Sequence, residues 1–233
     1  MKVSINQPAY IPWLGYFERI DYADIHVVLD HVQFEKNSFT NRNKIISNQG
    51  SQWLTIPVSK GINGEMTINK VRCSNNKWIK NHLKSITQNY SKAPYFDLYF
   101  EAFKSLLESK IGSSNLFEII ESANLKIIEF LGISTPIIYS HNLKIETKKS
   151  TLVLDICKSQ NATKYISGIN GKDYLEAEVF KENNISVTYQ SYKHPIYQQK
   201  DSQFTPYLSV LDLLFYQGPE SLTILREGRN YII

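Results

Sequence analysis

The sequence predicts an α/β protein with a mostly parallel sheet flanked by helices. Short stretches rich in Val, Ile and Tyr alternate along the 233 residues with longer stretches whose apolar residues recur at helical spacing. The first kind is typical of strands and the second of amphipathic helices, and their alternation favours a parallel sheet. A chain of this length can bury a sizeable core. We expect one domain over residues 1–233, with a helical insertion or subdomain near residues 75–131.

The predicted strands are short and rich in β-branched and aromatic residues, as strands usually are. The stretch 25–29 is apolar except for His26, which is typical of a strand covered on both faces. The predicted strands span residues 2–6, 25–29, 43–47, 53–58, 136–139, 164–167 and 185–190.

The predicted helices carry apolar residues on one face at spacings of three and four. In the first helix these residues are Trp13, Tyr16, Phe17 and Ile20. The last helix, 207–217, is apolar nearly all round; Thr205 can cap it, Pro206 fits its first turn and Gly218 ends it. The other predicted helices span 78–90, 95–108, 115–131 and 150–160, and the clearest loops span 60–64, 141–150 and 192–205.

The net charge of +4, from 26 basic and 22 acidic residues, is a weak basic bias. The basic bias is stronger between Lys60 and Lys92, a stretch that contains seven basic residues and a single acidic residue, Glu65. Such a patch attracts phosphate or another anion, but it is also typical of a solvated lysine-rich face, and both interpretations stay open. Together with Trp78 and Tyr90, the patch also suits a second interpretation, a module that binds single-stranded nucleic acid. The mild overall charge disfavours that alternative.

The two cysteines, Cys73 and Cys157, are too few for a disulfide framework or a zinc site. We interpret both as packing residues, in keeping with the reducing cytoplasm. No stretch approaches the roughly 20 apolar residues of a membrane span, and no signal peptide is apparent. The sequence therefore predicts a soluble, cytoplasmic protein.

The connection that follows the first predicted strand contains two prolines and an aromatic cluster. Because ligands of open α/β sheets bind outside the carboxyl ends of the strands, Gln7 and Tyr10 are placed at such a site after the first strand, and Asp30 after the second. The prolines stiffen this connection, which suits a preorganised binding loop and equally suits a rigid turn. The stretch has the glycine of the HxGH nucleotidyltransferases but lacks both histidines, so it does not support their mechanism.

Several blocks, in order over nearly the whole chain, resemble the WbqC-like family. They are residues 7–16 (QPAYIPWLGY), 29–34 (LDHVQF), 41–45 (NRNKI), 53–58 (WLTIPV), 93–96 (APYF), 165–168 (YISG) and 208–214 (LSVLDLL), together with Trp78, His82, Tyr90, Gly171 and Tyr174. His31 departs from the pattern, because an acidic residue is commoner there in the family.

The resemblance implies a role in bacterial surface-polysaccharide pathways, including O-antigen assembly. It implies a transferase that modifies nucleotide-linked sugars, amino sugars included. The substrate would therefore be a small molecule. The resemblance indicates no cofactor, donor group or oligomeric state. Substrate-binding positions that it suggests, with the residue chemistry, are Gln7, Tyr10, Trp13, Gln33, Asn41, Arg42, Tyr90, Ser167, Gly168 and Tyr174.

His82 and Asp30 are the candidate catalytic residues. Histidine titrates near neutral pH and can move a proton in either direction, and His82 shares an inward stripe with Trp78 and Ile86. The competing interpretation is a hydrogen-bonded core histidine. Asp30 can orient a histidine or accept a proton, or it can simply cap a strand end.

Other candidates are suited to binding. Arg42 offers a forked pair of donors to phosphate or carboxylate, although its neighbouring asparagines also suit a turn. Tyr10, Trp13, Tyr90 and Tyr174 can stack on sugar or base rings, or fill the core. The pair Ser167-Gly168 offers a hydroxyl and backbone amides to an anion. For Asp212, inside an apolar helix, we expect a partner such as an arginine or backbone amides, and a structural role.

The chain contains no GxSxG sequence, no P-loop, no HExxH sequence and no glycine-rich dinucleotide fingerprint. Its five histidines lack metal-ligand spacing, so no metal site is predicted. A non-catalytic partner in a polysaccharide assembly complex therefore stays an alternative, which an exposed aromatic patch within residues 192–207 would favour.

Overall fold

The structure, a computed structural model, describes residues 1–48, 50–59, 66–200 and 203–233. The predicted loop 60–64 lies outside the described residues, as does part of the basic stretch that begins at Lys60.

The core of the fold is a six-stranded sheet with the strand order β5-β2-β1-β6-β7-β8. All neighbours pair in parallel except β7 and β8, which are antiparallel. The prediction of a mostly parallel sheet is therefore confirmed. The strands are β1 (Lys2–Asn6), β2 (Ile25–Val28), β5 (Ile137–Tyr139), β6 (Lys164–Gly168), β7 (Ser186–Gln190) and β8 (Tyr231–Ile232), of which β8 was not predicted.

The remaining strands, β3 (Arg42–Ser47) and β4 (Gly50–Thr55), form a separate antiparallel hairpin in which Ser47 pairs with Gly50. The sequence predicted both strands but not their separation from the main sheet. So short a connection can join only antiparallel strands, because a parallel pair needs a crossover of a dozen or more residues.

Helices cover both faces of the sheet, as predicted. The helices are α1 (Leu14–Tyr22), α2 (Lys77–Tyr90), α3 (Phe96–Ser109), α4 (Leu116–Leu131), α5 (Lys149–Ser159), α6 (Ala177–Glu182), α7 (Val210–Gln217) and α8 (Ser221–Glu227). Gly132 ends α4 in the left-handed conformation, with φ 71°, as its position predicted. The two short helices α6 and α8 were not predicted.

The start of α7 differs from the prediction. The helix begins at Val210, three residues later than the sequence indicated. Tyr207 has φ 60°, a left-handed conformation that no helix continues through. The Ser209 hydroxyl accepts a hydrogen bond from the Leu211 amide and caps the helix instead of Thr205.

The two faces of the sheet differ in polarity. Side chains such as Val3, Ile5 and Tyr165 face α5 and α6 in one hydrophobic cluster. On the other face, toward α1, β1 presents Ser4 and Asn6, both buried. Polar groups in this layer need partners or a ligand, because burying an unpartnered polar group is costly.

The helices α2 to α4 share one hydrophobic cluster with α1, α7 and the β3–β4 hairpin. This cluster lies on the side of the sheet that carries Ser4 and Asn6. Whether residues 75–131 count as a subdomain of a single domain stays a prediction.

Cys73 and Cys157 are free, buried thiols within the two hydrophobic clusters, as their interpretation as packing residues requires. Burial raises their pKa values to about 11 and about 12, respectively. Within the described ranges, no helix is both long enough and apolar enough to cross a bilayer.

Candidate functional site

A cleft opens at the carboxyl edge of the sheet, between the ends of β1 and β6. It consists of two adjoining cavities, of about 540 and 410 Å³. From β1 the chain continues to β2 on one side, whereas β6 continues to β7 on the other, so the strand order reverses between them. This is the position at which open α/β sheets bind ligands. The residues that line both cavities of this switch-point cleft are Asn6, Gln7, Trp13, Arg19 and Tyr207.

Asn6, the last residue of β1, has no partner for its side chain. Only 6% of the residue is exposed, yet neither its Oδ1 nor its Nδ2 makes a hydrogen bond. Most buried polar side-chain atoms in proteins are satisfied. An amide that lacks both partners and lines the cleft is therefore placed to bind a ligand.

Arg19 projects from α1 into the same cleft. Its Nε is buried without a partner, and among the described residues no ion pair includes it. Its Nη1 lies close to Gly168 at the end of β6, so near that a Cβ atom on that glycine would be 2.3 Å away. Any side chain at position 168 would have to displace the guanidinium group.

The acidic residues beside Arg19 on α1 are already neutralised by the C-terminal segment. The Nε of Arg229 donates to Glu18 over 2.7 Å, and the Nη2 of Arg229 donates to Asp21 over 2.6 Å. Arg226 also bonds to Asp21, through two nitrogens. The pKa of Asp21 is held below its usual value by these arginines, although burial acts in the opposite direction as the largest single effect. Arg19 is thus left as a cation without a carboxylate partner at the cleft.

Aromatic rings form one wall of the cleft. The Trp13 indole packs against Tyr192 and Tyr207, with ring centroids 5.4 Å apart in each case, and lies over His194 at 6.4 Å. Tyr207 is 58% exposed, and Tyr174, on another wall, is 50% exposed. Exposed aromatic faces with polar tips suit sugars and bases.

The turn after β6 brings a third wall close to the strand. Gly171 approaches Ser167 so closely that a Cβ atom there would lie 2.0 Å from the Ser167 Oγ. The Ser167 hydroxyl donates to the carbonyl oxygen of Gly168 over 3.0 Å. The predicted residues Ser167, Gly168 and Tyr174 therefore all line the cleft.

A second polar centre lies on the same edge of the sheet, after β2 and β5. The Asp30 carboxylate is fully buried and accepts hydrogen bonds from the Ser140 hydroxyl, at 2.9 Å, and from the His141 amide, at 3.1 Å. It also forms a short contact with the Nδ1 of His141, whose side chain is 40% exposed. Since a carboxylate only accepts, Nδ1 carries the proton in this bond.

The position of this centre relative to the cleft follows from the sheet. Leu29 lines the cleft, and Asp30 is the next residue. β5 is two strands from β1, and strands are about 4.8 Å apart. The Asp30–His141 pair therefore lies on the order of 10 Å from the end of β1.

Glu121 and Tyr139 extend this centre into the interior. The Tyr139 hydroxyl donates to the Glu121 carboxylate over 3.1 Å. Burial, with a contribution from the negative charge of Asp30, raises the pKa of Glu121 to about 7. A carboxyl group that exchanges its proton near neutral pH is unusual, and such groups occur often at functional sites.

His82 and Tyr10 lie in the hydrophobic core, away from the residues that line the cleft. The Tyr10 hydroxyl bonds to the Nδ1 of His82 at 3.0 Å, and the Nε2 of His82 bonds to the Thr55 carbonyl oxygen at 3.2 Å. Both ring nitrogens are therefore occupied, and burial lowers the pKa of His82 to about 4. The catalytic role predicted for His82 finds no support in this position.

Tyr90 is also fully buried, in a polar network around Asp212. Asp212 accepts hydrogen bonds from Tyr90 and Tyr197, both at 3.0 Å, and from Gln199 at 2.7 Å. A carboxylate buried in an apolar helix requires hydrogen-bond partners, and these three groups supply them. Burial nevertheless raises the pKa of Asp212 to about 6, against the lowering effect of the three bonds.

The predicted binding residues Gln33, Asn41 and Arg42 do not line the switch-point cleft. Asn41 is buried and donates to the Ile56 carbonyl oxygen. Arg42 bonds to the Asn37 carbonyl oxygen and lies over the ring of Trp53, 4.4 Å from its centroid. Both side chains therefore support the hairpin region. Their binding roles stay predictions, to which this geometry adds no support.

Sequence reasoning brought Gln7, Trp13, Ser167, Gly168 and Tyr174 into the cleft and Asp30 to the second centre. It missed Asn6, Arg19, Tyr207 and His141. The signal for Asn6 was available, because a polar residue ends the first predicted strand. Arg19 had no such signal, since only the tertiary pairing of its acidic neighbours leaves it unpaired.

The surface shows little support for the two alternative functions. Trp78 and Tyr90 are buried, so they are not placed to stack on bases. Among the described residues of 192–207, Tyr192, Tyr197 and Phe204 pack around His194, and the exposed ring of Tyr207 belongs to the wall of the cleft. In the part of the chain that the structure describes, no three His, Cys, Asp or Glu side chains converge to hold a metal ion.

The fold and the cleft together define an α/β protein with a candidate ligand site at the switch point of a mostly parallel sheet. The model of the WbqC-like protein family matches residues 7–224, and the chain belongs to that family. Uncharacterized protein Rv1507c of Mycobacterium tuberculosis is 34% identical over 231 residues, which cover 98% of this chain and 99% of that protein. No solved structure matches the chain.

Proposed function

We propose that this protein is a transferase that modifies nucleotide-linked sugars, amino sugars included. It acts in the bacterial cytoplasm, in the synthesis of surface polysaccharide such as O-antigen. Membership of the WbqC-like family supports the pathway, and the switch-point cleft supports a small-molecule substrate.

The observation that carries the proposal is the Asp30–His141 pair at the edge of the sheet that also forms the cleft. A buried carboxylate that holds the Nδ1 of a half-exposed histidine fixes its tautomer and stabilises the imidazolium that forms when Nε2 takes a proton. A transferase needs such a group, because the accepting hydroxyl or amine must lose its proton as the new bond forms.

The cleft fits the remaining parts of a nucleotide-linked sugar. Its two cavities, of about 540 and 410 Å³, are in the range of small-molecule sites, which typically measure about 300–1,000 Å³. Trp13, Tyr174 and Tyr207 offer ring faces to a base or sugar, and Asn6 and Gln7 offer polar groups. The apolar wall and the few polar groups are both typical of ligand sites.

The first test is binding. A thermal-shift panel would contain UDP- and dTDP-linked sugars, amino sugars included, with the free nucleotides and single-stranded DNA as controls. We expect selective stabilisation by at least one nucleotide sugar beyond its free nucleotide, since binding to the native state raises the melting temperature. If the nucleotide sugars stabilise no better than the controls, the proposal is wrong.

The second test is turnover. The stabilising nucleotide sugar would be incubated with activated acyl, aminoacyl and phosphoryl donors, and its mass gain followed by mass spectrometry. We expect Asp30→Asn and His141→Gln to slow product formation by about 100-fold or more, because general acid–base catalysis contributes roughly 10²- to 10⁴-fold.

The control for this test is His31→Gln. His31 bonds to the Ser140 hydroxyl, whereas the hydrogen bonds described for the Asp30 carboxylate come from Ser140 and His141, so the His31 variant should retain most of the turnover. Affinity for the nucleotide sugar should change by no more than about threefold in all three variants, since a pure chemical role leaves binding intact. Unchanged turnover in both Asp30→Asn and His141→Gln would refute the catalytic assignment.

A further inference from the structure

Two features of the switch-point cleft call for a specific chemical group in the ligand. The first is Asn6, buried with both amide atoms unpartnered. Because its Nδ2 can only donate and its Oδ1 can only accept, it is complementary to an acceptor and a donor that lie side by side. An amide in this state that served only packing would destabilise the fold without compensation.

The second feature is Arg19, whose charge is not balanced nearby. The neighbouring Glu18 and Asp21 bond to Arg229 and Arg226, so they do not pair with it. Burial raises the pKa of Tyr174, on one wall of the cleft, and the positive charge of Arg19 acts in the opposite direction. A planar guanidinium group that is partly desolvated binds phosphate or carboxylate oxygens strongly, because charge-assisted bonds are about twice as strong as neutral ones.

Gly168 fixes where this charge lies. The Arg19 Nη1 occupies the space that a Cβ atom of residue 168 would take, 2.3 Å from it. The glycine thus lets the guanidinium group lie against the end of β6, beside Asn6 at the end of the neighbouring strand β1. Both polar groups therefore line the cleft at the point where the strand order reverses.

We infer that Arg19 and Asn6 form a phosphate subsite for a ligand whose phosphate is esterified to a hydroxylated sugar. Arg19 and the Nδ2 of Asn6 donate to phosphate oxygens. The Oδ1 of Asn6 accepts from a hydroxyl of the attached sugar, a donor that a carboxylate ion such as malonate does not supply. The subsite rests on the proposed function for the identity of the whole ligand, and it adds the residues that hold the diphosphate.

The test measures affinities by titration calorimetry with four probes: inorganic pyrophosphate, UDP, UDP-N-acetylglucosamine and malonate. We expect Arg19→Gln to weaken UDP and pyrophosphate by about 10- to 100-fold, the range for losing a hydrogen bond to a charged group. Arg72→Gln, which removes an exposed arginine that bonds to Ser114 and lines neither cavity, is the matched control and should bind all probes like the wild type.

Two further variants separate a binding role from a structural one. Gly168→Ala keeps every charge and adds only a methyl group, which must push the guanidinium aside; we expect weaker binding of UDP with an unchanged melting temperature. Asn6→Ala removes a group that has no partner in the protein. We therefore expect an equal or higher melting temperature together with weaker binding of UDP-N-acetylglucosamine.

The outcomes distinguish this subsite from the proposed function. If UDP-N-acetylglucosamine binds but Arg19→Gln and Gly168→Ala bind it like the wild type, the subsite is wrong and the proposed function stands. If UDP binds and depends on Arg19 and Asn6 but no nucleotide sugar binds, the subsite stands and the proposed function falls. If malonate binds as tightly as pyrophosphate and equally depends on Arg19, the phosphate assignment is overturned. A lower melting temperature for Asn6→Ala, with unchanged binding, would make Asn6 a packing residue.

Discussion

Replacing Arg229 by Met tests whether the C-terminal segment holds α1 in place. Glu18 is fully buried, and its Oε1 accepts from Arg229 over 2.7 Å. Breaking a buried ion pair by removing one partner typically costs about 3–5 kcal/mol, because the other charge is left uncompensated. Tyr231 and Gln190 still donate to the Glu18 Oε2, at 2.8 and 2.6 Å, so we expect the lower end of that range, about 3 kcal/mol.

The assay is urea denaturation of the wild type, Arg229→Met and Glu18→Gln/Arg229→Met. About 3 kcal/mol corresponds to a fall in melting temperature of roughly 6–12 °C for a chain of this size. The double variant should be more stable than Arg229→Met, because it no longer buries an unpaired charge. Arg226→Met is the control, since its side chain is 52% exposed and Asp21 keeps Arg229; it should cost less than about 1 kcal/mol. A loss below about 1 kcal/mol for Arg229→Met, or a double variant that is no more stable, would refute the reasoning.

Three further predictions concern buried positions. Gly15→Ala would place a methyl group 2.4 Å from the Trp13 ring. We therefore expect the free energy of unfolding to fall by about 1–3 kcal/mol and nucleotide-sugar binding to weaken. If the variant binds the nucleotide sugar like the wild type, the indole does not shape the cleft. His82→Leu leaves the Tyr10 hydroxyl and a carbonyl oxygen unpaired and should cost about 2–4 kcal/mol. Because burial lowers the pKa of His82 to about 4, its stabilising effect in the wild type is full above about pH 6.5 and is lost as pH falls toward 4, and the variant should lack this dependence. Burial raises the pKa of Asp212 to about 6, so its contribution to stability is full below about pH 4 and is lost as pH rises through 6; denaturation at several pH values should show that slope in the wild type and not in Asp212→Asn.

The parallel sheet was predictable because its signal is local. Each strand is a short run of β-branched residues, and alternation with helices indicates parallel pairing. The position of the β3–β4 hairpin outside the main sheet was not predicted, because the sequence of two strands does not indicate which sheet they join. The start of α7 was misjudged because Thr205 and Pro206 suit a helix start, and only the backbone shows that Tyr207 interrupts it.

The candidate site was predictable in part, for a physical reason. Aromatic residues and histidines at helical spacing fit both a core and a binding site, so the sequence could not separate Tyr90 and His82 from Trp13. Position after a strand was the better guide, since Asp30 and Ser167 both lie at the carboxyl edge of the sheet. The strand before His141 was predicted, but His141 itself falls in a predicted loop and was missed because its partner Asp30 is 111 positions away in the sequence.

The charge of the cleft depends on residues far from it in sequence. α1 brings Glu18, Arg19 and Asp21 together. Without other residues, its two carboxylates and one arginine would give a net negative charge. Arg226 and Arg229, about two hundred positions later, neutralise both carboxylates and leave Arg19 as the uncompensated charge. Freed carboxylates within a Debye length of about 8–10 Å would repel an anion at the cleft. The Arg229→Met variant should therefore bind pyrophosphate more weakly even at temperatures where it is fully folded, and the difference should shrink as salt is added, which loss of stability alone would not produce.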